Sequence, residues 1–423
     1  MNHGPVQKVV LVGLNSYGYR SLALGYVRAF AQADQRLAGK TGFMTLDLDV
    51  SVDPWWVAYR VAGLAPDVVG FSVACWNARS VYDACRLLRR ILPETYIVVG
   101  GPEVSPIAEE VLHEQHSIDA VVRGEGEETF AELLSVLLRQ RSPWRVEGVT
   151  ARRDGEVVSA PDRPLIGDLD AIPSPYLTGV LEPVEGTAYI ETYRGCPHRC
   201  GYCFEGKGFG RIRSFSHERV QSEVAFLADS AGLGSFTFID PVFNLTPDRL
   251  AWLSGVMEPY ARRGVRLHTV EVDIERIGAD EAALLKRAGV VSVETGPQTI
   301  GGLALKTCRR GFDRERFVAG VAALKEADIV VECDLIVGLP GDTADDVLAG
   351  MRFVAELDPG MLQMSTLHVL PGTDLWMRAE EVGLSFDPSA PHEAISTMEI
   401  PFSDLRRLEV MGNALMDQYR ARV

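Results

Sequence analysis

The second half of the chain begins with the stretch Tyr189-Ile-Glu-Thr-Tyr-Arg-Gly-Cys-Pro-His-Arg-Cys-Gly-Tyr-Cys-Phe204. Its first five residues have the pattern of a short buried strand, and the remainder is a loop with three cysteines spaced as C-x3-C-x2-C. Strand and helix patterns alternate on both sides of this stretch. The sequence therefore predicts an α/β fold in which the cysteines directly follow a strand.

Downstream of the cysteine loop, five further strand patterns are separated by helical patterns. The strand patterns cover residues 235–239, 265–271, 290–294, 329–337 and 362–369, and the helical patterns cover 217–231, 280–288, 313–327 and 343–356. Six βα units of this kind predict a partial or closed (βα)6 barrel over residues 187–373, with functional groups at the carboxyl ends of its strands. Residues 374–423 predict a short helical C-terminal extension.

Upstream of the cysteine loop, residues 1–140 show a second alternation of this type. Strand patterns occur at 8–14, 42–48, 67–73, 96–100 and 118–122, with helical patterns such as 21–33, 78–92 and 127–140 between them. Near-continuous apolar strands separated by helices predict a doubly wound, Rossmann-like parallel sheet, with a ligand at the carboxyl ends of the strands. Residues 141–186 are rich in Pro and Gly and predict a linker or covering segment, with a hairpin turning at Asp154-Gly155.

The composition excludes several classes of protein. The 423 residues carry 42 Lys+Arg against 58 Asp+Glu, a net charge of −16, which argues against a nucleic-acid partner. No apolar run is long enough to span a bilayer and the N-terminus lacks the pattern of a signal peptide, so the sequence predicts a cytoplasmic protein without a membrane partner. Seven cysteines, an odd number with one tight cluster, do not form a secreted disulfide framework.

The cysteine spacing predicts a metal centre. Three thiolates this close in sequence are suited to three irons of a four-iron cluster, which leaves one iron free to bind something other than protein. The alternative is a structural zinc site with His198 or a distant cysteine as the fourth ligand, but no second ligand pair follows the loop. The remaining cysteines are interpreted as buried packing residues: Cys75, Cys85, Cys308 and Cys333.

The cysteine loop, placed after the first strand of a six-unit barrel, resembles that of the radical S-adenosylmethionine (SAM) superfamily. The segments 13–18, 70–73, 99–103 and 122–130 resemble the cobalamin (B12)-binding domain that is fused to one radical SAM subfamily, the class B methyltransferase-like enzymes. The resemblance covers roughly residues 8–370. It implies a 4Fe-4S cluster on Cys196, Cys200 and Cys203 that binds SAM and cleaves it reductively to a 5′-deoxyadenosyl radical.

The resemblance also implies the methyl donor, the class of substrate and the source of electrons. A methylcobalamin would deliver a methyl group to an unactivated carbon of a small molecule or a peptide, and a flavodoxin-like or ferredoxin-like protein would supply low-potential electrons. Two alternatives remain open. One is a B12-binding radical enzyme that performs cyclisation or rearrangement, and the other is a non-catalytic corrinoid sensor.

Several residues near the predicted strand ends match SAM-binding positions of the radical SAM family. Glu271 and Gln298 match positions that hold the SAM ribose, Asp334 matches a position beside the methionine moiety, and Tyr202 or Phe204 would lie near the adenine. As an alternative to ligand binding, carboxylates at these strand ends can cap the helices that follow, and this applies to three residues: Asp240, Glu294 and Asp334.

The cobalamin contacts implied by the resemblance lie in the loops after the N-terminal strands. These are Asn15, Tyr17, Ser72, Trp76, Asn77, Gly101, Gly124, Glu125 and Gly126. No D-x-H-x-x-G element supplies a histidine ligand to cobalt, and the resemblance implies that cobalamin binds without one. The competing interpretation of 124–127 as a nucleotide-binding loop departs from the G-x-G-x-x-G pattern, and its acidic residues would repel a pyrophosphate.

Overall fold

The computed structural model describes residues 7–205 and 211–421, which divide into two compact units, residues 7–187 and 188–421. Each unit is built around parallel strands with helices between them. This confirms the predicted α/β class, with a doubly wound N-terminal sheet, a partial barrel and a C-terminal helix. None of the described helices is long and apolar enough to cross a bilayer.

The N-terminal unit alternates strands and helices along the chain. Its elements are β1 Gln7–Asn15, α1 Leu22–Ala33, β2 Thr41–Asp49, α2 Pro54–Ala62, β3 Val68–Ser72, α3 Ala78–Ile91, β4 Tyr96–Gly100, α4 Ala108–Glu114, β5 Ala120–Val122, α5 Gly126–Leu138, β6 Val149–Arg153 and β7 Glu156–Ser159. Ser21 caps α1 by accepting a hydrogen bond from the Leu24 N–H. The helix starts expected from the sequence are reproduced to within a residue or two.

The seven strands of this unit form one sheet in the order β2-β1-β3-β4-β5-β6-β7. The first five are parallel, and the chain reverses its direction of winding between β1 and β3. In a sheet of this order the ligand crevice opens at the carboxyl ends beside that switch point. The core of the unit is apolar and includes Val9, Leu11, Val98 and Phe130.

The predicted hairpin forms within the Pro/Gly-rich segment. Strands β6 and β7 pair antiparallel on either side of Asp154 and Gly155, both of which have positive φ, as a tight two-residue turn requires. Strand β6 also pairs with β5, so the hairpin extends the main sheet. This part of 141–186 is therefore integrated into the N-terminal sheet, which the composition of the segment did not indicate.

The second unit contains the barrel strands and the helices that connect them. Its elements are β8 Tyr189–Ile190, β9 Tyr193–Arg194, β10 Arg213–Ser214, α6 His217–Ala225, β11 Ser235–Phe238, α7 Pro247–Ala261, β12 Arg266–Leu267, β13 Val270–Glu271, α8 Ala279–Arg287, β14 Ser292–Gln298, α9 Gly302–Thr307, α10 Arg314–Glu326, β15 Val330–Val337, α11 Ala344–Leu357, β16 Met361–Thr366, α12 Asp374–Arg378, β17 Ser385–Phe386, β18 Ala394–Ser396 and α13 Phe402–Arg420.

These strands form two parallel sheets, β8-β11-β12 and β13-β14-β15-β16. A parallel bridge between Leu267 and Val290 connects them, so that the seven strands follow the order of the sequence. In the described part of the chain, β16 does not pair with β8. The barrel is therefore partial, and its strands end at one common edge.

Two of the predicted strands are interrupted. The pattern at 189–193 becomes β8 and the separate β9, which pairs with β10, because the Thr192 N–H donates to Asp240 Oδ1 at 2.8 Å. The pattern at 265–271 breaks between β12 and β13, where Thr269 has a positive φ of 41°. Both interruptions arise from contacts or backbone angles that an apolar pattern does not encode.

The C-terminal extension contains two helices, α12 and α13, and one small hairpin between them. The 19-residue helix α13 packs on β16, and Gly412 allows close approach because a Cβ there would lie 3.1 Å from the end of the Met364 side chain. Strands β17 and β18 form an antiparallel pair before it. This hairpin was missed because two- and three-residue strands carry no detectable periodicity.

Candidate active site and cofactor sites

The barrel unit contains a cavity of about 350 Å³ at the carboxyl ends of its strands. It is lined by seven of the residues singled out from the sequence: Cys196, Cys200, Tyr202, Cys203, Glu271, Gln298 and Asp334. Phe204 lies partly buried in the same loop but does not line the cavity. The fold thus brings residues from four separate segments of the chain to one place.

The cysteine loop is held in this cavity by backbone hydrogen bonds. The Gly201 N–H donates to the Cys308 carbonyl at 2.6 Å, and the Leu375 N–H donates to the Gly201 carbonyl at 2.9 Å. A Cβ on Gly201 would lie 3.3 Å from the Cys308 carbonyl oxygen, so a small residue is needed there. The loop is therefore positioned by the end of α9 and the start of α12, independently of any metal.

Arg310, which the sequence analysis missed, also reaches this cavity. After helix α9, Arg309 has a positive φ of 54°, and the N–H groups of Arg309 and Arg310 donate to the carbonyls of Lys306 and Leu305. This is the hydrogen-bond pattern of a Schellman motif, which reverses the chain after a helix. The helix before this turn has six residues and was not predicted, so the only local signal for the turn in the sequence was the run Arg309-Arg310-Gly311.

Three carboxylates on neighbouring strands face the same cavity. The strand register places Glu271 of β13 beside Glu294 of β14, and Asp334 of β15 is also a lining residue. Enclosure in the cavity, followed by repulsion from Glu294, raises the pKa of Glu271 to about 8. Burial and the same neighbouring charge raise the pKa of Asp334 above its usual range. A cationic ligand would relieve this repulsion.

The strand-end carboxylates do not cap helices, so that alternative is wrong. The helices that follow Asp240 and Asp334 are capped by Thr246 and Thr343, and α9, which follows Glu294, has Gly301 at its N-cap. Asp240 is fully buried instead, where it pairs with Arg249 at 2.8 Å. Glu294 and Asp334 lie within strands and face the cavity.

The donor set of the cavity fits a four-iron cluster with SAM. Thiolates are the ligands that iron–sulfur clusters require, and each of three cysteines would bind a different iron. In the described part of the chain, no three His, Cys, Asp or Glu side chains converge on a single metal-sized point; cubane ligation does not need such convergence. Asp334 Oδ1 is buried without a hydrogen-bond partner among the described residues, which fits an acceptor for a ligand ammonium group.

The remaining histidine and cysteines take other roles. His198 lines the cavity, and its Nε2 lies 3.4 Å from Asp273 Oδ2. Cys85, Cys308 and Cys333 are fully buried, and burial raises the pKa of the Cys308 and Cys333 thiols to about 12, as expected of packing residues. Cys75 is partly buried.

The N-terminal unit has a separate cavity of about 130 Å³ at the carboxyl ends of its strands. Apolar side chains including Leu11, Val27 and Phe130 line it, and it also contains four of the predicted cobalamin contacts: Ser72, Gly101, Gly124 and Gly126. Gly101 has a φ of 128°, and a Cβ there would overlap the Val73 carbonyl oxygen. An apolar groove bordered by bare backbone fits a neutral corrinoid better than a phosphate-rich ligand.

The other predicted cobalamin contacts are placed differently. Asn77 is buried, its amide nitrogen donates to the Leu14 and Ser72 carbonyls, and its oxygen accepts from the Ala74 N–H. Its side chain thus organises the loop after β3 and has no group left for a corrin, so the expectation for Asn77 is corrected.

Glu125 and Asn15 likewise make contacts within the protein. Glu125 accepts a hydrogen bond from the Ile166 N–H at 2.7 Å, and Asn15 donates to Asp47 at 3.1 Å. Tyr17 and Trp76 are exposed, with 89% and 66% of their surface accessible. Of the polar and aromatic contacts expected in these loops, the two aromatic side chains therefore remain the most available to a ligand.

Two family models match the chain. The model of the radical SAM superfamily matches residues 190–354, and that of the B12 binding domain matches residues 28–134. The first contains the cysteine loop and the carboxylate strands. The second contains most of the doubly wound sheet.

Among curated proteins, an uncharacterized methyltransferase of Pyrococcus horikoshii is 29% identical over 76% of this chain and 71% of its own length. The cobalamin-dependent radical SAM methyltransferase TokK of Streptomyces tokunonensis is 28% identical over 87% of this chain and 56% of its own. An anaerobic magnesium-protoporphyrin IX monomethyl ester cyclase of Rubrivivax gelatinosus is 28% identical over 80% and 62%. The chain thus spans less than two thirds of the latter two relatives.

Among solved structures, the fold is similar to that of the radical S-adenosylmethionine methyltransferase TsrM from Kitasatospora setae, determined with tryptophan substrate and a SAM analogue. The TM-score is 0.75 at 18% identity, over 97% of this chain and 89% of that one. The similarity extends over both units of the fold.

Proposed function

The chain belongs to the radical SAM enzymes that carry a B12-binding domain, and we propose that it methylates an unactivated carbon of a small molecule or a peptide. The cofactors of this family are a 4Fe-4S cluster, SAM and cobalamin. The observation that carries the proposal is the meeting of three cysteines and three carboxylates in one barrel cavity, in a chain that also has a glycine-bordered apolar groove in its N-terminal sheet.

When bound, the cofactors supply reductive cleavage of SAM and methyl transfer from cobalt, chemistry that no amino-acid side chain provides. In the proposal, Cys196, Cys200 and Cys203 hold the cluster. Asp334 accepts the ammonium group of SAM through its unpartnered Oδ1. The electron comes from a low-potential flavodoxin-like or ferredoxin-like donor.

The polar residues around the cluster site would orient SAM. Glu271 and Gln298 lie at the ends of neighbouring strands, and in the proposal they exchange hydrogen bonds with the ribose hydroxyls. Tyr202 would contact the adenine. The three cavity carboxylates, Glu271, Glu294 and Asp334, would also favour a positively charged ligand. SAM carries two such charges, on its sulfonium and ammonium groups.

The N-terminal residues would hold cobalamin without a protein ligand to cobalt. Ser72, Gly101, Gly124 and Gly126 border the groove, and the exposed Tyr17 and Trp76 offer flat surfaces to the corrin. In the proposed division of the chain, residues 1–140 bind cobalamin, 141–186 are a covering segment, 187–373 are the radical barrel and 374–423 are an extension.

An anaerobic assay tests the proposed function. Reconstituted protein is incubated with SAM, hydroxocobalamin and a low-potential reductant against candidate small molecules and peptides, and the products are analysed by mass spectrometry. A product that gains one methylene supports methylation. Protein that forms a cluster but never cleaves SAM with any candidate would contradict the proposal.

A second candidate function is radical cyclisation or rearrangement. It is favoured by the relative named a cyclase, which matches 80% of this chain. The same assay separates the two, because a cyclised or rearranged product contains no added methylene. The isotope label of a methyl-deuterated SAM would then be absent from the product.

A further inference from the structure

The guanidinium of Arg310 contacts both the cysteine loop and the neighbouring strand. Its Nη1 lies 3.5 Å from Cys200 Sγ and 3.0 Å from the Tyr202 hydroxyl. Its Nε donates to the Pro297 carbonyl at 3.2 Å, and its Nη2 donates to the Gly296 carbonyl. All three nitrogens are therefore engaged, and one of them points at a proposed cluster ligand.

The position of this group is fixed from both sides. The Schellman turn after α9 fixes the backbone of Arg310, and the two carbonyls of β14 fix the plane of its guanidinium. The register between β14 and β15 shifts between Thr295 and Gln298, so these two carbonyls lie outside the regular ladder. Gly296 is required at this point, because a Cβ there would overlap the Asp334 backbone. A rigid planar donor held in this way keeps its geometry when the charge of its partner changes.

The adjacent Arg309 has the same side chain but a different environment. Its guanidinium forms an ion pair with Asp374 and is 54% exposed, so that solvent and a carboxylate screen its charge. It also borders the cavity, yet no hydrogen bond to a cysteine involves it in the described residues. The chain thus contains its own matched control for an arginine near the cluster loop.

We propose that Arg310 sets the reduction potential of the cluster by donating an N–H···S hydrogen bond to Cys200. The inference rests on the proposed ligation of the cluster by Cys196, Cys200 and Cys203. Reduction adds one negative charge to the cluster, and a fixed cation that donates to a ligand sulfur stabilises the reduced form. Arg310 is therefore a positioning residue that makes the electron transfer from the donor more favourable.

The first test compares midpoint potentials of the reconstituted cluster in wild type, Arg310→Gln, Arg310→Lys and Arg309→Gln, by titration followed with electron paramagnetic resonance. Arg310→Gln should lower the equilibrium constant for reduction of the cluster at least tenfold. For a one-electron couple this is a shift of the midpoint potential by about 59 mV in the negative direction. Arg310→Lys should lie between it and wild type, because the charge stays while the planar donor is lost. Arg309→Gln should match wild type.

A second measurement uses wild-type protein, so it does not depend on the stability of the variants. Protein labelled with ¹⁵N-arginine and carrying the reduced cluster should show a weak ¹⁵N hyperfine coupling in pulsed electron paramagnetic resonance. Arg309→Gln should retain this coupling. If the wild-type protein shows no ¹⁵N hyperfine coupling, the proposal is overturned. The same holds if the midpoint potential of Arg310→Gln equals that of Arg309→Gln.

These outcomes are separable from failure of the proposed function. If wild type holds no four-iron cluster, the ligation by the three cysteines is wrong. If wild type holds the cluster but the potential and the coupling do not respond as stated, the ligation stands and only the role of Arg310 is wrong.

Discussion

The two cavities of this protein lie at equivalent places in related architectures but have opposite chemistry. Both open at the carboxyl ends of parallel strands, where α/β folds place their ligands. The N-terminal groove is apolar and bordered by glycines, whereas the barrel cavity is lined by thiols, carboxylates and arginines. The topology determines where a ligand binds, and the residues at the strand ends determine which ligand it is.

The difference follows from what each cavity presents. In the groove, glycines expose backbone within an otherwise apolar lining. In the barrel, like-charged carboxylates on adjacent strands repel one another. This repulsion lowers the stability of the fold unless a bound cation offsets it. Glu271 and Glu294 stand side by side in the strand register, and Asp334 on the next strand lines the same cavity, so three carboxylates face a space that a cationic ligand could fill.

The largest expected effect separates the two cavities directly. Cys200→Ala should remove the four-iron absorbance and all SAM cleavage, because a cubane left with two protein thiolates is not retained, while cobalamin binding stays unchanged. Iron analysis and the cobalamin spectrum after gel filtration measure this. Cys85→Ala, a buried cysteine in α3, is the control and should keep both cofactors. Loss of cobalamin from Cys200→Ala would mean that the two sites are not independent.

The converse variant fills the groove. Ser72→Phe should lower cobalamin affinity at least tenfold, because the ring occupies the space between β3 and its neighbours, and it should leave the iron content unchanged. Equilibrium dialysis of hydroxocobalamin provides the measurement. Ser117→Phe, at the opposite edge of the same sheet, should bind cobalamin like wild type. Normal cobalamin binding by Ser72→Phe would place the corrinoid elsewhere.

A smaller effect is expected from the unpartnered carboxylate in the barrel. Asp334→Asn should weaken SAM binding to the cluster-loaded protein about tenfold, or about 1.4 kcal/mol, because the charged acceptor for the ammonium group is lost. Isothermal titration under anaerobic conditions can measure this. Asp345→Asn, exposed in the first turn of α11, serves as the control. Equal affinity in the two variants would remove Asp334 from the site.

The smallest effect concerns the stability of the cofactor-free protein. The pKa of Glu271 is raised from 4.5 to about 8, so between these values the folded state holds a proton that the unfolded state releases. Stability therefore falls as pH rises through this window. Glu271→Gln should gain stability relative to wild type at pH 9, on the order of 1 kcal/mol after allowance for the solvent in the cavity, and much less at pH 5.

Thermal unfolding midpoints of the two proteins at both pH values check this prediction. A gain of this size corresponds to roughly 2–4 °C. A midpoint difference that does not depend on pH would show that the pKa of Glu271 is not raised. The carboxylates of the barrel would then not repel one another appreciably.

The sequence was sufficient for features that depend on local pattern. The cysteine spacing, the strand ends and the glycine loops predicted the place of both cavities and part of their lining, because each of these signals lies within a few residues of a strand. Asn77 and Arg310 show where this fails. The first lies 63 residues from the Leu14 carbonyl that it binds, and the second lies 110 residues from Cys200. Such contacts exist only after the sheet and the barrel have formed.

The interrupted strands have a similar origin. The break after β8 depends on Asp240, which lies 48 residues further along the chain and accepts the Thr192 N–H. An apolar pattern predicts the position of a strand. It does not predict where a distant side chain bonds a backbone N–H and so interrupts the pairing of that strand.

We propose that one chain holds a cluster in its barrel and cobalamin in its N-terminal groove. Quantifying iron, sulfide and cobalamin in anaerobically reconstituted wild-type protein tests this directly. We expect about four irons and about one cobalamin per chain, with the four-iron absorbance present. Cobalamin bound without the cluster, or the cluster without cobalamin, would show that the two sites do not both exist in this chain.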